Sequence, residues 1–214
     1  MPPEKAPILA GLVARGIGDA GALETLAAEA ARVAPRAGAA RRVGVVARHR
    51  EREIDAELVA GLLDAPAHIA PKFLYDALGS RLFDAITELP EYYPTRTEAA
   101  IFAAQGSAIA ARVGRGRTLV DLGAGNCEKA GRLFAALAPR RYVAVDISVE
   151  YLRRALACLQ REYPQMDMLG VGLDFSRTLS LPGEVGDSPR TLFYPGSSIG
   201  NFSPPEAVEF LRRA

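Results

Sequence analysis

Four polar side chains lie at or after the ends of short apolar runs in this sequence, in a pattern that suits a nucleotide ligand. Gly123 begins the turn Gly123-Ala-Gly. Asp121 lies two residues before Gly123, and Asp146 lies 23 residues after it. Asp174 and Asn201 follow two later runs. Carboxylates can accept the hydroxyl and amino groups of a nucleoside, and glycines let the backbone approach a ligand closely. The runs themselves span 118–122, 142–146, 168–173 and 191–194.

The glycine turn excludes two common kinds of nucleotide site. A dinucleotide fingerprint needs a third glycine three positions after Gly125, where this chain has Glu128. A phosphate-binding P-loop needs Gly-Lys-Ser/Thr, which does not follow. The acid at Asp121 instead favours a ligand with a positive end, such as the amino group and sulfonium of S-adenosylmethionine. We expect the amides at the start of the next helix to face that ligand. A tight strand-to-helix turn without a ligand is the alternative.

The two later acids fit the remaining parts of an adenosine. The spacing of Asp146 after the turn is about that at which a carboxylate accepts both ribose hydroxyls. Its alternative role is a helix N-terminal acid before Ser148. The pair Asp174-Phe175 supplies an acceptor for the adenine amino group and an aromatic cover for its ring. One adenosyl ligand would therefore account for most of these residues together.

Helical patterns separate the four runs. Residues 129–137 place Leu133 and Leu137 inward, and 149–159 repeat apolar residues at helical spacing. Alternating strands and helices predict a doubly wound α/β domain with a parallel sheet, whose ligand binds at the carboxyl ends of the strands. Asp121, Gly123 and Asn201 would meet at that edge with the two later acids. A capping box of Ser203 and Glu206, with Pro204 between them, predicts a final helix.

Two further helices are predicted upstream. Leu74, Leu78, Leu82 and Ile86 recur at four-residue steps, so we expect one buried helical face that ends before Pro90. Thr95 and Glu98 resemble a capping box for the second helix. The loop Glu91-Tyr92-Tyr93 lies between them, where its tyrosines either bind a ligand or only pack.

Composition limits the function classes. The 214 residues carry a net charge of +1, which gives no electrostatic reason to expect a nucleic-acid or membrane partner. Cys127 and Cys158 are too few for a disulfide framework or a zinc site, and no signal peptide or membrane-spanning stretch is apparent. We therefore expect a cytoplasmic protein. The basic run from Arg36 to Arg52 lacks interleaved aromatic residues, so a solvated face is favoured over a nucleic-acid patch.

Three blocks of this sequence resemble the histidine-specific Nα-methyltransferases, which make trimethylhistidine (hercynine) on the route to ergothioneine. They are Leu122-Gly-Ala-Gly-Asn-Cys-Glu-Lys129, Gly196-Ser-Ser-Ile-Gly-Asn201, and Phe73-Leu-Tyr75-Asp-Ala-Leu-Gly-Ser with Leu89-Pro-Glu-Tyr-Tyr-Pro-Thr-Arg96. The resemblance runs from about Arg50 to the end of the chain and implies a Rossmann-like class I methyltransferase sheet. We expect an incomplete sheet of about four parallel strands in a methyltransferase domain over 61–214, after a partly helical N-terminal extension over 1–60.

The resemblance also implies roles for individual residues. Tyr92 and Asn201 would contact the substrate, L-histidine, and Tyr92 is the candidate catalytic residue. The implied S-adenosylmethionine site consists of Tyr75, Gly123, Lys129, Asp146, Asp174 and Phe175. No metal is expected, because a sulfonium methyl is already activated. The alternatives are a methyltransferase of the same fold for another amino acid or amine, and an inactive domain that only binds cofactor.

The family continues past the point where this sequence stops, with further strands and a substrate-domain insertion. The resemblance therefore implies that this chain is a fragment or a shortened product. Its fourth strand would lack a neighbour on one side. An exposed apolar strand edge pairs readily with another chain, so we expect self-association or poor solubility.

Overall fold

The computed structural model describes residues 44–47 and 51–214. The chain divides into one unit at Met1–Ala39 and a second at Ala40–Ala214, and all described residues belong to the second. The predicted weak helix around Leu23 and the side chains of the basic run from Arg36 to Arg52 lie outside the described residues. The boundary at residue 60 between an extension and a methyltransferase domain remains a prediction.

The described residues form a parallel sheet with helices on both sides. Its strands are β1 (Gly44–Ala47), β2 (Thr118–Leu122), β3 (Arg141–Asp146), β4 (Met168–Gly172) and β5 (Arg190–Phe193). The α-helices are α1 (Glu51–Leu63), α2 (Ala77–Thr87), α3 (Pro94–Val113), α4 (Glu128–Gly131), α5 (Phe134–Leu137), α6 (Val149–Glu162) and α7 (Pro204–Arg213). Short 3-10 turns lie at Pro71–Leu74, Gly183–Val185 and Ser198–Asn201.

The strands pair in the order β1-β4-β3-β2-β5, and every pairing is parallel. The α/β Rossmann-like fold is therefore confirmed, and β2 to β5 match the four predicted strands. The fifth strand, β1, was not predicted, because its four residues lie in an arginine-rich stretch and are too short to show a period. Val45 of β1 lies opposite Gly170 of β4, where the missing Cβ leaves room for its side chain.

The core lies on both faces of the sheet. On one face, helices α3, α5 and α6 bury apolar side chains such as Ala110, Leu137 and Leu156 against Leu119 and Tyr142. On the other face, Phe210 of α7 packs with strand residues, among them Val120 and Val143. A strand buried on both faces has no polar alternation, which is why the runs of β2, β3 and β4 are continuous apolar stretches, whereas the edge strand β5 is only partly buried.

Helix α2 turns its leucine stripe outward, so the predicted buried face is wrong. On α2, Leu78, Leu82 and Ile86 are 57%, 55% and 43% exposed, and Leu74, which lies in the 3-10 turn before the helix, is 65% exposed. The inward side of α2 carries Phe83, Asp84 and the buried Ser80. Spacing identifies an apolar face, but it cannot show which other element covers that face.

Helix boundaries differ from the predictions in two further places. The predicted helix over 129–137 is split into α4 and α5, although Leu133 and Leu137 are buried as expected. The predicted capping box at the start of α3 is absent, since Tyr93 occupies the N-cap position without a side-chain cap. The capping box of Ser203 and Glu206 at α7 is confirmed. Among the described helices, none combines the length and the apolar character needed to cross a lipid bilayer.

Candidate functional site

A cleft of about 1610 Å³ opens at the carboxyl edge of the sheet. After β2 the chain builds β3 and β4 on one side, and then returns to place β5 on the other side. Such a switch in direction leaves a crevice outside the strand ends, where open α/β sheets bind their ligands. The cleft is lined by Asp121 and by all eight predicted site residues: Tyr75, Tyr92, Gly123, Lys129, Asp146, Asp174, Phe175 and Asn201.

The glycine turn follows β2 directly at the floor of this cleft. Gly123 has a φ of 73°, a left-handed value that favours glycine, and the Phe175 ring lies next to it. The amides of Gly123 and Ala124 donate to the Val145 carbonyl oxygen at 2.9 and 3.0 Å. The Glu128 amide that begins α4 donates to Asn126 Oδ1 at 3.2 Å. The expectation that the amides at the helix start face a ligand is therefore wrong for Glu128, because a side chain already accepts from it.

Asp121 is a carboxylate buried at the floor of the cleft, where only 1% of its surface is exposed. Tyr142 is on the neighbouring strand β3, and its hydroxyl donates to Asp121 Oδ2 at 2.8 Å. Within the described part of the chain, Asp121 Oδ1 is buried without a hydrogen-bond partner. Burial raises the pKa of Asp121 to about 7, although the Tyr142 hydrogen bond and the charge of Lys129 act in the opposite direction. The carboxylate is thus placed to receive a positively charged donor.

Asp146 ends β3 and ties its strand end to the glycine turn. Its Oδ2 accepts from the Gly125 amide at 3.0 Å, and its Oδ1 accepts from the Ser148 amide at 2.9 Å. Burial raises the pKa of Asp146, and these backbone hydrogen bonds partly oppose that shift. The Ser148 bond is the predicted alternative role of a helix N-terminal acid. Each oxygen also has a second lone pair, so a ribose could still be bound.

Lys129 lies on α4, which follows the glycine turn, and it lines the cleft paired with Glu98 of α3. The distance from Lys129 Nζ to Glu98 Oε2 is 2.6 Å, and the Gly196 amide donates to Glu98 Oε1 at 2.8 Å. Gly196 has a φ of 81°, and a Cβ there would lie 2.6 Å from Lys129 Nζ. The left-handed φ at 196 favours a glycine, whereas the flexible end of the Lys129 side chain could move away from a Cβ. Glu98 joins α3, α4 and the loop after β5 into one wall of the cleft.

Asp174 and Phe175 follow β4 and form the next part of the wall. Lys72 Nζ lies 2.7 Å from Asp174 Oδ2, and Ser176 donates to Asp174 Oδ1 through its amide and its hydroxyl. Burial raises the pKa of Asp174, but the hydrogen bonds from Lys72 and Ser176 and the charge of Lys72 outweigh burial, so the net pKa is lowered. The Phe175 ring packs edge-on against Tyr194, at 5.5 Å between centroids.

The upstream block contributes an aromatic row. Tyr75, Phe83 and Tyr92 meet edge to face, with centroid separations of 5.8 and 5.9 Å. Tyr92 is half-buried and lines the cleft, whereas Tyr93 is 67% exposed. The structure thus separates two adjacent tyrosines that the loop pattern alone left equivalent, and it places in the cleft the one that the family resemblance singled out. Arg96 donates to the carbonyl oxygens of Leu89 and Pro90, which holds the loop that carries Tyr92.

Asn201 is exposed at the far side of the cleft, at the end of the 3-10 turn Ser198–Asn201. This turn follows Gly196 and Ser197, both with left-handed φ values. The loop after β5 therefore carries Asn201 to the lining of the cleft. Within residues 44–47 and 51–214, no group of three or more His, Cys, Asp and Glu side chains could hold a metal ion.

Sequence reasoning missed Lys72 and Glu98, and it noted Tyr142 only as a strand residue. Glu98 was assigned to a helix cap, because Thr-x-x-Glu after a proline is a common helix start. The hydrogen bond of Tyr142 to Asp121 was not predicted, because a tyrosine in a buried strand usually only packs. Lys72 lies 102 residues from its partner Asp174, and no local pattern can indicate such a pair.

Comparison with known proteins gives a family match over three quarters of the chain. The profile described as "Histidine-specific methyltransferase, SAM-dependent" matches residues 54–214. The match includes the glycine turn, the aromatic loop and the loop after β5, so it covers every residue predicted for the site.

Individual relatives agree with this match. Histidine N-alpha-methyltransferase from Mycolicibacterium smegmatis is 44% identical over 156 residues, 71% of this chain and 48% of that protein. The enzyme of the same name from Mycobacterium tuberculosis is 40% identical over 72% of this chain and 49% of its own length. A 4-dimethylallyltryptophan N-methyltransferase from Claviceps purpurea is 29% identical over 79% and 52%. The chain thus spans about half the length of the curated relatives it matches.

Proposed function

Because the chain belongs to the family of S-adenosylmethionine-dependent histidine-specific methyltransferases, we propose that its cleft binds S-adenosylmethionine and that the protein methylates the α-amino group of L-histidine, up to trimethylhistidine. The family match and the names of the two mycobacterial relatives support the cofactor and the substrate. The placement of all eight predicted residues around one cleft supports a shared site.

The observation that carries the proposal is the buried carboxylate of Asp121 in the same cleft as the ammonium of Lys129. Asp121 is buried with an oxygen that lacks a partner in the described residues, and the charge of Lys129 is close enough to lower its pKa. The methionine part of the cofactor is a zwitterion with an ammonium and a carboxylate. Asp121 would accept from the ammonium, and Lys129, whose ammonium has three donors, would bind the carboxylate while still paired to Glu98.

The other cofactor contacts follow from the strand ends. Asp146 would accept from the ribose hydroxyls, Asp174 from the adenine amino group, and Phe175 would cover the adenine ring. Gly123 leaves space where the chain passes beneath the ligand. When bound, S-adenosylmethionine supplies a methyl group on a sulfonium, which is already a good electrophile.

The chain must then hold the substrate amine, in its neutral form, toward that methyl group. Tyr92 lies in the cleft within the aromatic row, where its hydroxyl can accept a hydrogen bond from the amine and its ring can face an ammonium. Asn201 would hold the amino-acid carboxylate or amine from the opposite side. Fixing the reacting groups in this way removes much of the entropic part of the barrier.

Methyl transfer itself tests the substrate. The chain is incubated with S-adenosylmethionine and either L-histidine, L-tryptophan or 4-dimethylallyltryptophan, and products are identified by mass spectrometry. We expect mono-, di- and trimethylated histidine. Methylation of the tryptophan compounds alone would assign the chain to another substrate, as the Claviceps purpurea relative suggests. Cofactor binding without any product would indicate a domain that only binds cofactor.

The role of Tyr92 is tested by Tyr92→Phe, with Tyr93→Phe as the matched control on the neighbouring exposed side chain. Tyr92→Phe should slow transfer about 10- to 100-fold, the value of a hydrogen bond to a charged or developing charged group. Affinity for S-adenosylhomocysteine should change less than about threefold, since the ring remains. An equal loss of cofactor affinity, or an equal effect of Tyr93→Phe, would refute the role.

A further inference from the structure

The Lys72 ammonium lies in an unusual position for a lysine. It is 14% exposed and bridges two carboxylates, at 2.7 Å from Glu57 Oε2 on α1 and 2.7 Å from Asp174 Oδ2 after β4. Lysines are mostly exposed on protein surfaces, and one that is largely buried is usually paired. The 3-10 turn Pro71–Leu74 carries Lys72 to the cleft wall, three residues before Tyr75.

Most of the hydrogen-bond acceptor positions of the Asp174 carboxylate are already occupied by other residues of the chain. An ionised carboxylate offers about four acceptor positions. Ser176 occupies positions on Oδ1 through its amide at 3.1 Å and its hydroxyl, and Lys72 occupies one on Oδ2. The bonds on both oxygens fix the carboxyl plane and leave acceptor capacity on Oδ2. The two oxygens therefore cannot exchange places without breaking three bonds.

A fixed, charged acceptor discriminates strongly between purines. The adenine amino group is a donor, and a carboxylate can accept from it. A 6-oxo purine presents an acceptor at the same place, which would face the carboxylate oxygen without a hydrogen. A rigid site rejects such an analogue, whereas a mobile carboxylate could turn away and tolerate it.

We propose that Lys72 is a positioning residue for nucleobase specificity, which fixes the Asp174 carboxylate as the acceptor for the adenine amino group of the cofactor. This inference rests on the proposed cofactor site, but it concerns a side chain that the site roles above leave out. Lys72 acts through Asp174 and does not itself contact the nucleobase. The alternative is that the Lys72–Asp174 ion pair only fastens the 3-10 turn to the sheet.

Calorimetry with two ligands separates the alternatives. The dissociation constants of S-adenosylhomocysteine and of its 6-oxo analogue, S-inosylhomocysteine, are measured for the wild-type chain, Lys72→Met, Lys72→Arg and Glu57→Gln. The wild type should prefer the adenosyl ligand by about 10- to 100-fold. Lys72→Met should bind the adenosyl ligand about tenfold more weakly, with the preference reduced to about threefold or less. Lys72→Arg should keep most of the wild-type preference for the adenosyl ligand, because it retains a cation next to Asp174.

Glu57→Gln is the matched control, because it alters the other partner of the same ammonium and leaves the Asp174 contact in place. It should keep the wild-type preference. Ser176→Ala is a second, independent variant that removes the hydroxyl donor to Asp174 Oδ1 without touching Lys72, and it should reduce the preference in the same direction. Thermal melting of each variant checks that it is folded.

The inference is overturned if Lys72→Met keeps the wild-type preference, or if it weakens both ligands equally, as loss of a fastening contact would. Because Ser176→Ala addresses the same carboxylate, an unchanged preference in that variant also overturns it, even if Lys72→Met does not fold. Failure of the wild-type chain to bind either ligand would refute the proposed cofactor site itself, a result distinct from the others.

Discussion

Among single residues, the proposed cofactor site depends most on the charge of Asp121. Its pKa is raised to about 7 because the carboxylate is buried, so near neutral pH the side chain is poised between its two protonation states. A ligand ammonium next to Oδ1 would favour the charged form. We therefore expect S-adenosylhomocysteine to bind more tightly as the pH rises from about 6 to 8.

Asp121→Asn tests the cost of this buried charge in the free protein. The folded pKa is about 7 and the unfolded value is about 3.9, so wild-type stability decreases as the pH rises from about 4 to 7. The variant lacks this titration. At pH 8 it should be more stable by about 1–3 kcal/mol, because asparagine removes the charge but leaves a buried amide to satisfy. The difference should narrow toward pH 5.

Thermal or urea unfolding at several pH values provides the measurement. Asp187→Asn, at an exposed aspartate, is the control and should show no such pH-dependent difference. A constant gap between Asp121→Asn and wild type from pH 5 to 8 would contradict a raised pKa at Asp121.

At the scale of elements, helix α2 shows what apolar periodicity can predict and what it cannot. The four-residue spacing correctly indicated a helix with an apolar face, but that face is exposed and the other side lines the cleft. The opposite case is α6, where Leu152, Leu156 and Leu159 are buried as their spacing suggested. Periodicity describes one helix, whereas burial depends on the partner that the fold supplies.

A pair of matched substitutions tests this contrast. Leu82→Ala on α2 should change the free energy of unfolding by less than about 0.5 kcal/mol, because Leu82 is mostly exposed. Leu156→Ala on α6 should cost about 2–5 kcal/mol, because Leu156 is fully buried against the sheet. Urea unfolding of both variants measures the two values. Similar losses for both would show that α2 buries its leucines in solution.

The sequence predicted β2, β3 and β4 and the residues at their ends because a buried parallel strand leaves a local, continuous apolar signature. It predicted the partly buried β5 from a short apolar run that ends at Pro195 and Gly196. It could not predict β1, which is too short for a pattern and pairs with a strand more than 120 residues away. The ion pairs of Lys72 and Glu98 depend on the same long-range folding. The cleft walls were therefore partly predicted, whereas the contacts that fix them were not.

At the scale of the whole molecule, β5 is an edge strand in the described sheet, paired with β2. Leu192 on this strand is 37% exposed. An apolar strand edge can pair with a second copy, so we expect concentration-dependent self-association. Leu192→Lys should shift the chain toward monomer in light scattering after size-exclusion chromatography. Val208→Lys, at an exposed apolar site on α7, is the control and should leave association unchanged. A monodisperse wild-type monomer would contradict this expectation.

We propose that Asp121 and the strand ends around it form an S-adenosylmethionine site, and calorimetry with S-adenosylhomocysteine is the decisive test of that site. We predict that the wild-type chain binds with a Kd in the micromolar range, corresponding to about −8 kcal/mol. Asp121→Asn should weaken binding about 10- to 100-fold, because it removes the charged partner of the ligand ammonium. Absence of binding by the wild-type chain, or equal affinity of Asp121→Asn, would contradict the account.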